Sequence, residues 1–194
     1  MDFELPQRLT DFIAELDAFI ERDIKPLEAE NMQFFDHRRE WKRTNWENDG
    51  VHSDEWIELL DEMRRRADKA GFFRYALPSR MGGRDGTNLG MAVIRDHLAA
   101  KGLGLHNDLQ MESSVVGNLV SPLILEHFGT DKQKDAWLEG SISGATDFAF
   151  NLTEPDHGSD ATLMETTAVL EGDEWVINGA KRFASGVNFA SHAI

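Results

Sequence analysis

Leu9, Phe12, Ile13, Leu16, Phe19, Ile20 and Ile24 recur at steps of three and four, with Asp11, Glu15, Asp17 and Glu21 between them. That spacing lays one apolar stripe along a solvated helix, which Pro26 is expected to end or bend. From Asn31 to Val51 the period dissolves. Trp41 and Trp46 interleave there with His37, Arg38, Arg39, Lys42 and Arg43, and the stretch reads as a long connection pinned by aromatics. Ser53 is placed to cap a second helix, which carries Trp56, Leu59, Leu60, Met63 and Ala67 on one face, leaves Arg64 to Arg66 on the solvated face and stops at Gly71. Pro78 to Gly86 is turn-rich, and Thr87 can cap a third helix through Leu89, Val93 and Leu98. Further helices are expected from Asn107 to Asn118 and from Pro122 to His127. Thr130 with Gln133 forms a capping box that opens a short helix through Leu138.

The period changes near Thr146. Phe148, Phe150 and Leu152 alternate with Ala149 and Asn151, the pattern of a half-buried strand that Pro155 stops. Thr166 to Leu170 and Glu174 to Ile177 read as strands joined across Glu171-Gly172-Asp173, and Asn178-Gly179 signals a hairpin into Lys181 to Ser185. The reading is α+β: a helical domain over residues 1–145, then an antiparallel meander over 146–194, with a further strand starting at Ser191 to Ile194. Such a sheet would leave unpaired edges, so the chain is expected to be part of something larger or to pair with something.

Composition narrows the function classes. Hydrophobic residues make up 41% of the 194, enough to fill a core, and the formal charge of -15 repels nucleic acid and anionic membrane surfaces. Neither partner is expected. No cysteine is present, which excludes disulfides, thiolate metal sites and a Cys nucleophile. The start is acidic, unlike a secretory or transit leader, so a cytoplasmic location is expected. The greasiest stretch, Val115 to Phe128, is broken by Asn118, Pro122 and Glu126 and falls short of the roughly 20 apolar residues of a spanning helix.

The densest polar cluster is Thr153-Glu154-Pro155-Asp156-His157-Gly158-Ser159-Asp160. By residue chemistry it can be a phosphate or ring-edge grip built from amides and the Thr153 and Ser159 hydroxyls, or a turn bonding its own backbone. A calcium loop is disfavoured, because the alternating Asp spacing and the distal Glu are missing, and no metal is expected. Arg80-Met81-Gly82-Gly83-Arg84 lacks a P-loop pattern, and the arginines of the His37 to Arg43 run are read as partners of this chain's own carboxylates. His106 with Ser113 and Ser114 lacks the elbow and orienting group of a nucleophile-base pair.

Phe150-Asn-Leu-Thr-Glu-Pro-Asp-His-Gly-Ser-Asp160, followed by Ile177-Asn-Gly-Ala-Lys-Arg-Phe-Ala-Ser185, closely resembles the flavin-binding signature of the acyl-CoA dehydrogenase family. The Leu77 to Gly83 loop, the Phe128 to Lys134 stretch and the order of helices then strands resemble that family's first half. The resemblance implies a helical domain followed by the opening strands of a β-barrel-like middle domain, without the family's C-terminal four-helix bundle. It implies FAD as cofactor, an acyl-CoA thioester dehydrogenated at its α and β carbons, and electron-transferring flavoprotein as acceptor. Phe150, Asn151, Leu152 and Thr153 would lie against the flavin, and Ser159 would lie where cofactor and acyl-CoA converge. Phe183 would cover the ring face, beside Ala184, and the Ser185 hydroxyl would approach N5. Phe183 and Ser185 stand where the family usually has Trp and Thr, and Asp156 and His157 replace small residues. The helices around Met111 to Leu125 would help line the acyl pocket. The family's catalytic base lies in the C-terminal bundle, so no catalytic residue is assigned here, and a homo-oligomer or a complementing C-terminal half is the expected partner. The alternatives are a flavin monooxygenase or nitroalkane-oxidase-like relative, and a non-catalytic helical interaction module keeping the signature as a relic.

Overall fold

The computed structural model describes residues 4–108, 113–187 and 190–194. The first apolar stripe forms α1 (Gln7–Phe19), and the rod does not end at Pro26. Ile20–Ile24 winds as a π turn in which the Lys25 N–H reaches back to the Ile20 carbonyl, and α2 (Lys25–Ala29) carries on. Pro26 sits in the first turn of α2, and the rod continues past it although Pro26 has no N–H to return to the preceding turn. Leu16, Ile20 and Ile24 share one buried cluster with Trp56, Leu60 and Met63 of α4 (Asp54–Lys69) and with Ile94 and Leu98 of α5 (Asn88–Ala100).

Between α2 and α4 lie a 3-10 turn (Met32–Phe34), α3 (Arg39–Arg43) and a ribbon of β1 (Thr44–Asn45) with β2 (Val51–His52). Its aromatic pins are phenylalanines rather than the expected tryptophans. Phe34 and Phe35 stand 5.4 and 5.8 Å from the Trp56 ring, while Trp41 and Trp46 are exposed and touch each other. Arg43 is buried among the pins: its Nε donates to the Phe34 carbonyl at 2.7 Å, its Nη1 to Asp108 at 3.0 Å, and its guanidinium lies 4.1 Å over the Trp56 ring. Ser53 takes the N-cap position of α4 without capping it, because its hydroxyl donates instead to the Lys42 carbonyl. Arg66 also leaves the expected solvated face, donating to the Asp23 carbonyl at 2.7 Å.

Thr87 caps α5 as its sequence predicts, accepting from the Gly90 N–H at 3.0 Å. The helix expected from Asn107 to Asn118 does not form. Instead β3 (Asn107–Asp108) pairs antiparallel with β4 (Ser113–Ser114). Leu105 to Asp108 and Ser113 to Val116 are buried residue after residue, which a one-faced helix cannot do, and Asn, Asp and Ser favour turns over helix interiors. Met111 lies outside the described residues. Next come α6 (Val120–Phe128) and α7 (Asp131–Ser143), the latter opened by both bonds of the Thr130-Gln133 capping box and running five residues past Leu138 to Gly144 at φ +83°.

The β-region also departs from the expected meander. β5 (Phe148–Ala149) pairs parallel with β8 (His192–Ala193), and β6 (Thr167–Glu171) pairs antiparallel with β7 (Glu174–Asn178) across Gly172-Asp173. Ala149 is the buried residue of its strand, while Phe150 and Leu152 are exposed, reversing the predicted alternation. The segment 181–185 is not a strand. A Cβ on Gly179 would fall 2.3 Å from the Thr166 hydroxyl, so the backbone presses on Thr166, and Lys181 is then drawn away from the ladder to Glu154. The architecture is α+β, with a helical N-terminal part and few strands. No closed barrel forms among the described residues, and no described helix is long and apolar enough to cross a membrane.

Candidate functional site

Two loops separated by a hairpin in sequence lie side by side in space. Glu154 joins them: its Oε2 accepts from the Glu165 N–H at 2.6 Å, and its Oε1 from the Thr166 N–H at 3.0 Å and from Lys181 Nζ at 2.8 Å. Lys181 Nζ also donates to the Leu152 carbonyl at 3.1 Å. The Lys181 ammonium above all, with the Thr166 and Glu165 donors, holds the Glu154 carboxyl well below the usual carboxylate range. Beside this clamp the Arg182 N–H donates to the Thr153 carbonyl at 3.0 Å. Glu154 and Lys181 stand inside the recognisable motifs, yet their sequence neighbours give no hint of the clamp, because their partners lie 11 to 27 residues away.

The eight predicted cofactor residues fall along these loops. Phe150 and Leu152 present exposed apolar side chains. Asn151 gives its N–H to the Ile194 carbonyl at 2.8 Å, while its side-chain Oδ1 is sealed from solvent without a partner among the described residues. Thr153 is half-buried, and its carbonyl is engaged by Arg182. Phe183 is 82% exposed and held at φ +58°, a left-handed conformation that bulky side chains rarely adopt. Its neighbour Ala184 is half-buried and Ser185 exposed. Ser159 sits on an exposed turn, after Gly158, whose Cβ position meets nothing within 4 Å. The backbone bond from Arg182 to Thr153 therefore brings the 150–154 and 181–185 segments together, while Ser159 stays on the outer turn. The turn is closed by the Glu154 N–H donating to the His157 carbonyl at 3.1 Å.

The other candidates have structural partners. Arg38 pairs with Asp36, Arg39 with Glu40, Arg80 with Glu126 at 3.0 Å, and Arg84 with Glu15 at 3.6 Å. Ser114 donates to the backbone carbonyl of His106 rather than to its ring. Among the described residues no group of three His, Asp or Glu could hold a metal ion.

The family profile described as "Acyl-CoA dehydrogenase, N-terminal domain" matches residues 7–145, and "Acyl-CoA dehydrogenase, middle domain" matches residues 149–194. The chain belongs to the acyl-CoA dehydrogenase family. It is similar to acyl-CoA dehydrogenase FadE12 of Mycobacterium tuberculosis, 37% identical over 69% of this chain and 33% of that protein. It is also similar to the caffeyl-CoA reductase-Etf complex subunit CarC of Acetobacterium woodii, 34% identical over 71% of this chain and 34% of that protein. Among solved structures, a putative acyl-CoA dehydrogenase from Mycobacterium abscessus superposes with a TM-score of 0.63 at 28% identity, covering 92% of this chain and 42% of that one. The chain thus spans about a third of the length of these curated relatives.

Proposed function

We propose that this chain supplies the helical domain, residues 1–145, and the first part of the middle domain, 146–194, of an FAD-dependent acyl-CoA dehydrogenase. The observation that carries the reading is the Arg182 to Thr153 backbone bond, which sets the two halves of the family's flavin signature against each other. The residues fit a flavin: an orphaned buried amide oxygen on Asn151, an exposed aromatic face on Phe183, hydroxyls on Thr153, Ser159 and Ser185, and open space over Gly158. FAD, when bound, supplies a hydride acceptor at its N5.

On this reading Phe150 and Leu152 with Phe183 and Ala184 shield the ring from water, while Asn151 and Thr153 satisfy its polar edge. Ser185 gives a hydroxyl toward the reacting face, and Ser159 meets both cofactor and thioester. Their common task is to hold the acyl group in register with the ring, which is an orientation effect rather than acid-base chemistry. The α-proton is taken by a carboxylate that none of this chain's residues provides. The carboxylate therefore comes from further polypeptide or a complementing half, and a homo-oligomer is a further part of the proposal. An electron-transferring flavoprotein as acceptor belongs to the same proposal, supported by the Etf-complex subunit among the relatives, as does a cytoplasmic setting.

Quenching of flavin fluorescence on titrating FAD with the purified chain tests it. Saturable quenching that weakens in Thr153→Ala and Phe183→Ala is expected. Saturable quenching unchanged by both substitutions overturns the assignment.

A further inference from the structure

Three acceptors surround the Lys181 ammonium: Glu154 Oε1 at 2.8 Å, the Leu152 carbonyl at 3.1 Å and the Met164 sulfur at 3.5 Å. An ammonium carries three N–H groups, so each of them is engaged. The bonds are unequal, because a carboxylate and a carbonyl accept strongly and a thioether weakly. Met164 is the slack tie of the clamp. It follows the 3-10 turn Ala161–Leu163 and directly precedes Glu165 and Thr166, whose N–H groups the Glu154 carboxylate holds. Segment 164–166 and Lys181 are thus joined firmly through Glu154 and loosely through sulfur.

The slack tie is also open to oxidants. Met164 is 51% exposed and Met32 46%, whereas Met63 is sealed in the core and Met81 and Met91 pack against it. Of the two exposed thioethers, only the Met164 sulfur accepts a hydrogen bond among the described residues. Oxidation to the sulfoxide exchanges that weak acceptor for a polar oxygen. We propose that Met164 is a redox-sensitive modification site whose sulfoxide tightens the Glu154–Lys181 clamp. Hydrogen peroxide supplies the oxygen. The sulfur lone pair attacks one peroxide oxygen, an S–O bond forms as the O–O bond breaks, and sulfur loses two electrons while peroxide gains them. The proton on the transferred oxygen passes to the departing hydroxide, which leaves as water.

The new oxygen arises where Lys181 already aims an N–H, and a bond from an ammonium to a polar oxygen is a strong one. Neither Glu154 nor Leu152 has to give up its donor. Exposure leaves the Met164 side chain room to shift outward and seat the added atom. Residue 164 is then tied to residue 181 directly as well as through Glu154, and the turn after Thr153 is held harder. The inference stands on the clamp alone and is independent of the flavin reading.

Peptide mass mapping with hydrogen exchange, on the full chain before and after hydrogen peroxide, tests it. One oxygen mass is expected on the Met164 and Met32 peptides and none on that of Met63. Exchange at the Glu165 and Thr166 amides then slows by about fivefold relative to α4, and methionine sulfoxide reductase reverses both changes. Met164→Leu, close in volume, shows the same exchange before and after peroxide. A Met164 that stays unmodified under peroxide that converts Met32 overturns the site. Exchange unchanged or faster in the Met164-oxidised chain overturns the tightening, and slowing that persists in Met164→Leu overturns the assignment to Met164.

Discussion

Lys181 Nζ lies 2.8 Å from Glu154 Oε1, and this pair helps lock two loops that lie 27 residues apart in the sequence. Glu154 is 4% exposed and surrounded by donors, so its charge is matched where water is scarce. Removing one partner leaves the other uncompensated, which disturbs both loops together.

Glu154→Gln therefore frees the turn after Thr153 and the 181–185 segment at once. Hydrogen exchange at the Glu165 and Thr166 amides speeds up by about tenfold, whereas exchange in α4 is unchanged. Acid has the same effect on the native chain. The Glu154 carboxyl sits below its ordinary value of 4.5, so its contribution to stability is complete above that pH and drains away as the pH falls through the lower folded value.

His106 responds at milder pH. Its ring is fully buried, and neither nitrogen has a hydrogen-bond partner among the described residues. Desolvation above all, with the Lys25 and Lys101 ammonium groups, lowers its pKa from the ordinary 6.5 against the opposing pull of the Glu28 carboxylate. The unfolded chain takes the proton first, so stability is intact above 6.5 and declines below it. Urea titrations between about pH 5 and pH 7 should show that decline in the native chain, and His106→Leu should flatten it.

Arg43 ties the aromatic pins to the β3–β4 ribbon through Asp108. Arg43→Met leaves a buried carboxylate without its cation and costs about 3–5 kcal/mol, read as a lower urea midpoint. Exchanging both partners for apolar residues, Arg43→Met with Asp108→Leu, recovers part of that loss.

Phe183 at φ +58° carries backbone strain of about 1–3 kcal/mol. Phe183→Gly relieves it and raises the thermal midpoint of the chain, while the quenching of added FAD weakens. A rise in stability with unaltered flavin affinity would separate the strained backbone from any role in holding the ring.

The helices were largely legible because their order is local. The stripe on α1, the Trp56 face of α4 and the Thr130 capping box all lie within a few residues of their own signals. The ribbon at Asn107 and Ser114 was not, since it buries polar residues on a polar stretch and its stabilising contact, Arg43 to Asp108, spans 65 positions. Strands at Phe148 and at Ser191 to Ile194 were both legible, but their parallel pairing with each other was not, since no nearby turn announces it. The site was readable as a family motif, residue by residue, but Glu154 and Lys181 gained a role only from coordinates.

The π turn at Ile20–Ile24 acts as a phase shifter. It fits one surplus residue into the rod, so everything downstream is turned by about 100° relative to an unbroken helix. That rotation is what aims Glu28 at the Leu105 N–H, 2.6 Å away, and sets Lys25 beside it at 2.8 Å. Excising a single residue from this turn would restore an ideal spiral and, by doing so, swing both groups off the Leu105 turn that leads to His106. Here a locally regular helix would be the damaged one.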